Sequence, residues 1–149
     1  MQNKYDDLKL DNQICFPLYA CSKEIVRMYK PFLDDIDLTY TQYITMMVMW
    51  ETEEINVKSL GERLYLDSGT LTPLLKKLEA KGYIVRNRSK TDERNLLVTL
   101  TDKGRALKKK AVCIPEKMAG CVHLTREEAF ELYRLLHKVL SAVEDDNNG

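Results

Sequence analysis

Residues 61–100 read GERLYLDSGTLTPLLKKLEAKGYIVRNRSKTDERNLLVTL, and this stretch decides the fold. The helical pattern of residues 57–64 leads into a short turn at residues 65–67, and a second helical pattern extends from about residue 68 to residue 81. The second helix has one apolar face, formed by Leu71, Leu74, Leu75 and Leu78. Two helices joined by so short a turn predict a helix-turn-helix.

Two strand patterns follow the second helix, with apolar side chains alternating over residues 83–88 and 96–101. The residues between them, 89–95, are turn formers and charges, which predicts a hairpin wing. We therefore assign the chain to a mainly α class with a small β-wing, one chain over residues 1–149 with a winged helix-turn-helix at residues 55–101. A helix fits the major groove of DNA, and a thin hairpin can enter the minor groove.

Amphipathic helices flank the winged region, over residues 8–38 and 102–143, and we assign them to a dimerisation domain. Either the first helix begins close to Pro17, or an earlier turn is kinked there. Pro115 interrupts the second flank, and residues 144–149 are expected to form a frayed acidic tail. Two chains packed about a two-fold axis would place the recognition helices about one DNA turn apart, on a pseudo-palindromic operator.

Capping residues mark the predicted helix starts. Thr39 and Thr125 each begin a capping box, with Gln42 and Glu128 three residues further on. Pro73 is expected in a first turn, which places the start of the recognition helix a few residues before it.

The net charge is zero, but the charges are unevenly distributed. Residues 76–110 hold 12 Lys/Arg and 4 Asp/Glu, a net +8, which leaves 23 − 12 = 11 basic and 23 − 4 = 19 acidic residues, a net −8, in the rest. This uneven distribution of charge indicates one basic face suited to DNA, with solvated helix faces as the alternative.

No apolar run approaches the roughly 20 residues of a membrane span, and the polar N-terminus carries no export signal, so we expect a cytoplasmic protein.

The predicted DNA contacts lie on the second helix and on the wing. Short polar side chains at the helix start can reach base edges and phosphates, here Ser68, Thr70 and Thr72. Attraction to phosphates is expected from Lys76, Lys77, Arg86 and Arg88. Arg94 suits a narrow minor groove, and Asp92 could hold its guanidinium by a bidentate contact. The alternative is a winged helix used for protein contacts.

The four cysteines are widely separated and form no CxxC motif: Cys15, Cys21, Cys113 and Cys121. Neither histidine lies at zinc-finger spacing from them, so we predict no metal site and no cofactor. The default expectation for each thiol is a reduced, buried, small apolar group. Trp50 ends an apolar helical run and is expected to fill the core rather than to stack on a ligand.

Two blocks of sequence resemble a known family. The chain resembles the MarR family in LDSGTLTPLLKKLE (66–79), DER (92–94) and LTDKG (100–104). It is similar to the OhrR subfamily, regulators that sense organic hydroperoxides, in QICF (13–16), LY (18–19), YKP (29–31) and LTY (38–40). The resemblance covers nearly the whole chain, from about Leu10 to about Val143.

The resemblance implies a homodimeric repressor that binds double-stranded operator DNA while its cysteine is reduced. Cys15 matches the cysteine that reacts with organic hydroperoxide, and Tyr19 matches a tyrosine of its pocket. Tyr29 and Tyr40 match the tyrosines that reach the cysteine from the partner subunit. Oxidation would weaken these contacts and release DNA from peroxide-resistance genes. The thiolate is the reactive form, and tyrosine hydroxyls are donors that favour it.

The fate of oxidised Cys15 has two alternatives under the resemblance. A low-molecular-weight thiol could form a mixed disulfide, or a second cysteine of the other subunit could form a disulfide. Cys121 lies about where that second cysteine falls, and Cys113 is a poorer match. Two departures from the family pattern are Pro17 and Thr41, which replaces a proline and predicts a looser start of its helix.

Two further functions compete with peroxide sensing. One is a MarR-type repressor released by small phenolic ligands. The other is a thiol peroxidase, which the sequence disfavours because it shows no CxxC and no cofactor motif. We therefore predict a regulator and not an enzyme.

Overall fold

The computed structural model describes residues 3–92 and 94–148, with the side chains of residues 3–92 and 94–147. They form two compact units, which divide between Ile114 and Pro115. Two 3-10 turns, Asp6–Leu8 and Leu10–Asn12, precede the main elements. These are α1 (Cys15–Asp34), α2 (Tyr40–Thr52), β1 (Glu54–Asn56), α3 (Val57–Leu64), α4 (Ser68–Ala80), β2 (Ile84–Arg88), β3 (Leu96–Leu100), α5 (Asp102–Ala111), α6 (Ile114–Val122) and α7 (Arg126–Asn148). The predicted mainly α class with a small β-wing is confirmed.

The first long helix begins at Cys15, so the first of the two alternatives for Pro17 is correct. Pro17 is the third residue of α1, where its missing N–H would have had no partner within the helix. Cys15 is therefore the first residue of α1.

The capping boxes form as predicted. The Thr39 hydroxyl accepts the N–H of Gln42 at 3.3 Å, and the Gln42 side chain accepts the N–H of Thr39 at 3.0 Å. Thr125 and Glu128 make the same exchange at the start of α7, at 3.2 and 2.8 Å. The start of α2 is therefore fully capped, although Thr41 predicted a looser one.

The predicted boundaries hold near the two prolines and fail at the C-terminal tail. α4 begins at Ser68, as predicted, although Pro73 is its sixth residue and lies beyond the first turn where we had expected it. The second flank breaks at residues 112–113, which places Pro115 in the first turn of α6, where proline is tolerated. α7 continues to Asn148, so the acidic residues expected to fray extend the helix.

The sheet order is β1-β3-β2, with β3 antiparallel to both neighbours. Met46 and Met49 of α2 have no exposed surface, and the four leucines of the predicted apolar face of α4 are buried with them. Burying apolar side chains at about 25 cal/mol per Å² is the main stabilisation of such a core. It fixes α4 on one side, leaving its polar side chains outward.

Within residues 3–92 and 94–148, no helix has the length and apolar character needed to cross a membrane. In the same part of the chain, no group of three or more His, Cys, Asp or Glu side chains lies where it could hold a metal ion.

Candidate DNA-binding surface and candidate redox site

The start of α4 is exposed, as a DNA contact requires. Ser68, Thr70 and Thr72 are all exposed, in agreement with their predicted role. Asp67 caps the helix, and its carboxylate accepts the N–H of Thr70 at 2.8 Å. This residue was missed by the sequence analysis, although an Asp directly before a helical pattern is a strong capping signal. Its charge also competes with a phosphate for the helix N-terminus.

The basic residues near α4 fall into two groups. Lys76 and Lys77 are exposed and available to phosphates. Arg86 of β2 is held by Glu79 of α4: the Arg86 Nε and a terminal nitrogen donate to one carboxylate oxygen at 3.1 and 2.9 Å, and its backbone N–H donates to the other at 2.9 Å. These hydrogen bonds hold the pKa of Glu79 below its usual range. Arg86 therefore ties the wing to α4, and a DNA contact by Arg86 stays a prediction.

The tip of the wing is ordered by Asp92. Its carboxylate accepts the backbone N–H of Arg94 at 3.0 Å and the side-chain amide of Asn95 at 3.4 Å. Asp92 thus shapes the turn through the backbone of Arg94, where we had expected a bidentate contact with the guanidinium. Arg94 itself is exposed, and Glu93 of the DER motif lies outside the described residues.

The cysteines do not follow the default expectation of burial. Cys15, Cys21 and Cys113 are exposed, and Cys121 is half-buried with its sulfur 3.3 Å from the carbonyl oxygen of Lys117. The expectation was wrong because Cys15, Cys21 and Cys121 lie on helix surfaces, and Cys113 in the turn between α5 and α6, that the single chain leaves at least partly uncovered. An exposed thiol is accessible to an oxidant, which a buried one is not.

Tyr29 and Tyr40 are brought together by the packing of α1 on α2. Their ring centroids are 5.0 Å apart, and Tyr29 also lies 5.8 Å from the ring of Tyr43. Burial, followed by the neighbouring Tyr40, raises the pKa of Tyr29, and burial raises the pKa of Tyr40. Both phenols therefore remain protonated hydrogen-bond donors at neutral pH.

Within one chain these tyrosines cannot reach Cys15. Tyr29 lies fourteen residues after Cys15 on the same helix, which at about 1.5 Å per residue is about 21 Å. A hydrogen bond requires about 3 Å. Only Tyr19, one helical turn from Cys15 and exposed, lies on the same face as the thiol. Of the five predicted redox residues, Cys15 and Tyr19 form one group and Tyr29 and Tyr40 another, while Cys121, the possible resolving cysteine, lies on α6.

Tyr43 joins the tyrosine pair to Trp50, a role that the sequence pattern did not indicate. Tyr43 is 3 % exposed and lies between Tyr29 and Trp50. Trp50, which we expected to fill the core, is only half-buried, and its indole N–H donates to the carbonyl oxygen of Gly104 at 2.9 Å. No pattern within α2 could have indicated a partner 54 residues away.

A recognition helix with an exposed polar start, a capped turn before it and a β-wing beside it define a winged-helix transcriptional regulator. Residues 27–111 match the family of SarA/Rot transcriptional regulators. The organic hydroperoxide resistance transcriptional regulator of Bacillus subtilis (strain 168) is 47 % identical over 147 residues, which are 99 % of this chain and 100 % of the relative. The chain belongs to the MarR family, in its OhrR subfamily, and is a regulator and not an enzyme.

A second relative, AbfR of Staphylococcus epidermidis, is known from solved structures. Reduced AbfR bound to DNA and overoxidised AbfR bound to DNA each match with a TM-score of 0.75 at 33 % identity, over 95 % of this chain and 99 % of AbfR. The disulfide-formed structure matches with a TM-score of 0.62 at 33 % identity, over 95 % of this chain and 97 % of AbfR.

Proposed function

We propose that this chain forms a homodimeric repressor that binds a pseudo-palindromic operator when Cys15 is reduced. Oxidation of Cys15 by an organic hydroperoxide releases the DNA and derepresses peroxide-resistance genes in the cytoplasm. One observation carries the proposal: Cys15 is exposed, while Tyr29 lies about 21 Å away along α1, with the ring of Tyr40 from α2 packed beside it. A site made of these three residues needs a second chain.

The exposed apolar surface of α7 supports a dimer. Large apolar side chains that the single chain leaves exposed are Phe130, Leu132, Tyr133, Leu135, Leu136, Val139, Leu140 and Val143. Exposed apolar surface on this scale marks an interaction site in a water-soluble regulator. A second copy of the same helix is the self-complementary partner that a two-fold interface requires.

The relatives support the DNA-binding step. AbfR, at 33 % identity over nearly its whole length, has been solved on DNA in its reduced form. In this chain, Ser68, Thr70 and Thr72 occupy the exposed start of α4, with Lys76 and Lys77 further along the same helix. Because phosphate contacts release counterions, binding is expected to weaken steeply with salt.

The redox step follows from the chemistry of the exposed thiol. The Cys15 thiolate attacks one oxygen of the hydroperoxide, an S–O bond forms and the O–O bond breaks. The cysteine is oxidised by two electrons to the sulfenic acid, and the hydroperoxide is reduced to its alcohol, which takes up the proton. Neutral Tyr29 and Tyr40 phenols of the partner subunit are suited to donate to the reacting oxygen.

The step after the sulfenic acid, which needs no further oxidant, can follow two routes. We propose that the thiol of Cys121 of the partner subunit attacks the Cys15 sulfenic acid, forming a disulfide and releasing water. Overoxidised AbfR has been solved on DNA, and AbfR has separately been solved with a disulfide formed. This supports the disulfide, rather than added oxygen alone, as the releasing event. A low-molecular-weight thiol would give a mixed disulfide in place of Cys121.

The decisive test is a gel shift on the DNA upstream of the gene, with wild type and Cys15→Ser. Wild type should bind when reduced and dissociate with cumene hydroperoxide, while Cys15→Ser stays bound. If Cys15→Ser is released equally, thiol sensing is wrong.

Mass spectrometry without reductant then separates the two routes that follow the sulfenic acid, because Cys121→Ser should lose a Cys15–Cys121 crosslink that Cys113→Ser keeps. Small-thiol adducts alone would exclude Cys121.

A cleft favours the second candidate, a repressor released by small phenolic ligands. It has a volume of about 660 Å³ and lies between the α1–α2 connection and α4, lined by Asp34, Asp37, Leu38, Thr39, Gln42, Lys77, Ala80 and Lys81. Volumes of this size hold small ligands. Release of Cys15→Ser from DNA by a phenolic acid, without any oxidant, would establish this candidate.

A further inference from the structure

Four aromatic rings form a continuous chain through the first compact unit. The ring of Tyr29 contacts those of Tyr40 and Tyr43, with centroids 5.0 and 5.8 Å apart. Tyr43 in turn meets Trp50 edge to face, with centroids 6.4 Å apart at 68°. Edge-to-face and tilted pairs at these distances attract one another beyond the burial of their surface. The buried Tyr43 therefore links the two redox tyrosines to Trp50.

Trp50 connects the row of aromatic rings to α5. Its indole N–H donates to the carbonyl oxygen of Gly104 at 2.9 Å, across 54 residues of sequence. Lys108, one turn further along α5, donates to the carbonyl oxygen of Trp50 at 3.5 Å. The indole is thus held at its polar edge by the backbone of α5, while its ring is held by Tyr43.

Gly104 lies at the base of the wing, where β2 begins and β3 ends. A Cβ added at Gly104 would overlap the carbonyl oxygen of Tyr83, just before β2, and would lie 2.7 Å from the Leu100 side chain at the end of β3. The Gly104 N–H donates to the Thr101 hydroxyl at 3.0 Å, and that hydroxyl donates to the Gly82 carbonyl at 2.6 Å. Backbone contacts this close leave no room for Gly104 to move independently of the wing.

We infer that Trp50 couples the tyrosine cluster to the wing through Gly104. A displacement of Tyr29 and Tyr40 when Cys15 of the partner subunit is oxidised would pass through Tyr43 to Trp50. The hydrogen bond to Gly104 would pass it on to both wing strands. Trp50 is a positioning residue in this scheme and touches neither DNA nor oxidant. The inference rests on the proposed function, because it needs Cys15 to be the oxidised residue.

The test is Trp50→Phe, which keeps an aromatic ring against Tyr43 and removes the indole N–H. Thr52→Val is the matched control, because it removes a hydrogen bond of 2.9 Å from the Thr52 hydroxyl to the Val48 carbonyl on the same helix, outside the chain of rings. Operator affinity is measured for each protein before and after oxidation by cumene hydroperoxide. Wild type and Thr52→Val should lose affinity by about tenfold or more on oxidation, and Trp50→Phe by less than about threefold.

The ratio of the two affinities separates coupling from structural damage, because a merely destabilised protein would weaken in both states. If wild type and Trp50→Phe lose affinity by the same factor, the inference is wrong and the proposed function stands. If wild type keeps its DNA after oxidation, the proposed function fails and the inference fails with it.

A second measurement uses the unaltered protein. Trp50 is the chain's one tryptophan, so its fluorescence reports on this position alone. Emission should change when reduced wild type, without DNA, is oxidised by cumene hydroperoxide, and should stay constant in Cys15→Ser. Unchanged emission in fully oxidised wild type would overturn the coupling, even if Trp50→Phe failed to fold.

Discussion

The DNA-binding region and the redox residues differ in how much of each is complete within one chain. The DNA-binding region, residues 54–101, has its helix caps, its Glu79–Arg86 ion pair and its wing turn all closed by its own residues. The redox residues are exposed or separated, with Cys15 about 21 Å along α1 from Tyr29. Local and intrachain contacts complete the DNA-binding region, whereas the predicted redox residues do not form one site within a single chain, which is why we propose that a partner subunit completes it.

This difference has a physical consequence for regulation. A DNA-binding region closed by its own contacts is expected to move as one piece, so a small displacement at its base would reposition both α4 and the wing. Under the proposed function, the redox site is shared between two chains, and its oxidation would change the contact between those chains. Sensing would then act on the less constrained part, and the DNA-binding region would respond without being remodelled.

The largest expected effect tests how tightly α5 packs on the DNA-binding region. Gly104→Ala places a methyl group against the Tyr83 carbonyl. The overpacking destabilises the protein, and the higher helix propensity of alanine offsets part of the loss, so the free energy of unfolding should fall by about 2 kcal/mol. Thermal unfolding should shift down by about 8 °C. Gly120→Ala is the control, because no atom of the residues that the structure describes lies within 4 Å of its added Cβ. Equal melting temperatures for the two variants would contradict the close packing.

Tyr40→Phe tests the open redox site. Loss of a phenol that donates to the reacting sulfur or oxygen should slow oxidation of Cys15 by cumene hydroperoxide about tenfold, the effect of one charge-assisted hydrogen bond. Thermal stability and the affinity of the reduced protein for DNA should change little. Tyr5→Phe serves as the control, since Tyr5 is 63 % exposed and far from the cluster in sequence. An unchanged rate in a rapid-mixing assay would remove Tyr40 from the site.

Asp67→Ala and Asp67→Asn together measure one closing contact of the DNA-binding region. The alanine variant loses the cap on the Thr70 N–H and should lose about 1 kcal/mol in the free energy of unfolding. The asparagine variant keeps a capping oxygen and should lose only a few tenths. Denaturant titrations that found both variants equally destabilised would assign the effect to the lost charge and not to the cap.

The smallest effect concerns the pH dependence of the wing contact. Because Arg86 lowers the pKa of Glu79, this pair stabilises the folded state above the usual Glu pKa of about 4.3 and loses its contribution as the pH falls through the lowered value. Glu79→Gln should therefore be less stable than wild type at neutral pH, with the difference shrinking below about pH 4. A difference that stayed constant down to pH 2 would exclude this ionisation as its source.

Features that depend on neighbouring residues were predictable from the sequence. The capping boxes at Thr39 and Thr125, the apolar face of α4 and the alternating wing strands all formed where the pattern placed them. The error at Pro73 concerns how far before a proline a helix can begin, which depends on packing as well as on local preference.

The sequence by itself determined the winged helix-turn-helix, because periodicity, caps and turns act over a few residues, and its resemblance to the OhrR subfamily indicated the class of regulator. Only the tertiary structure decided that Arg86 is held by Glu79 and that Trp50 is bonded to Gly104. It also showed that Cys15 is separated from Tyr29 and Tyr40 within one chain. These facts depend on which elements pack together, and packing is set by buried surfaces that lie far apart in the sequence.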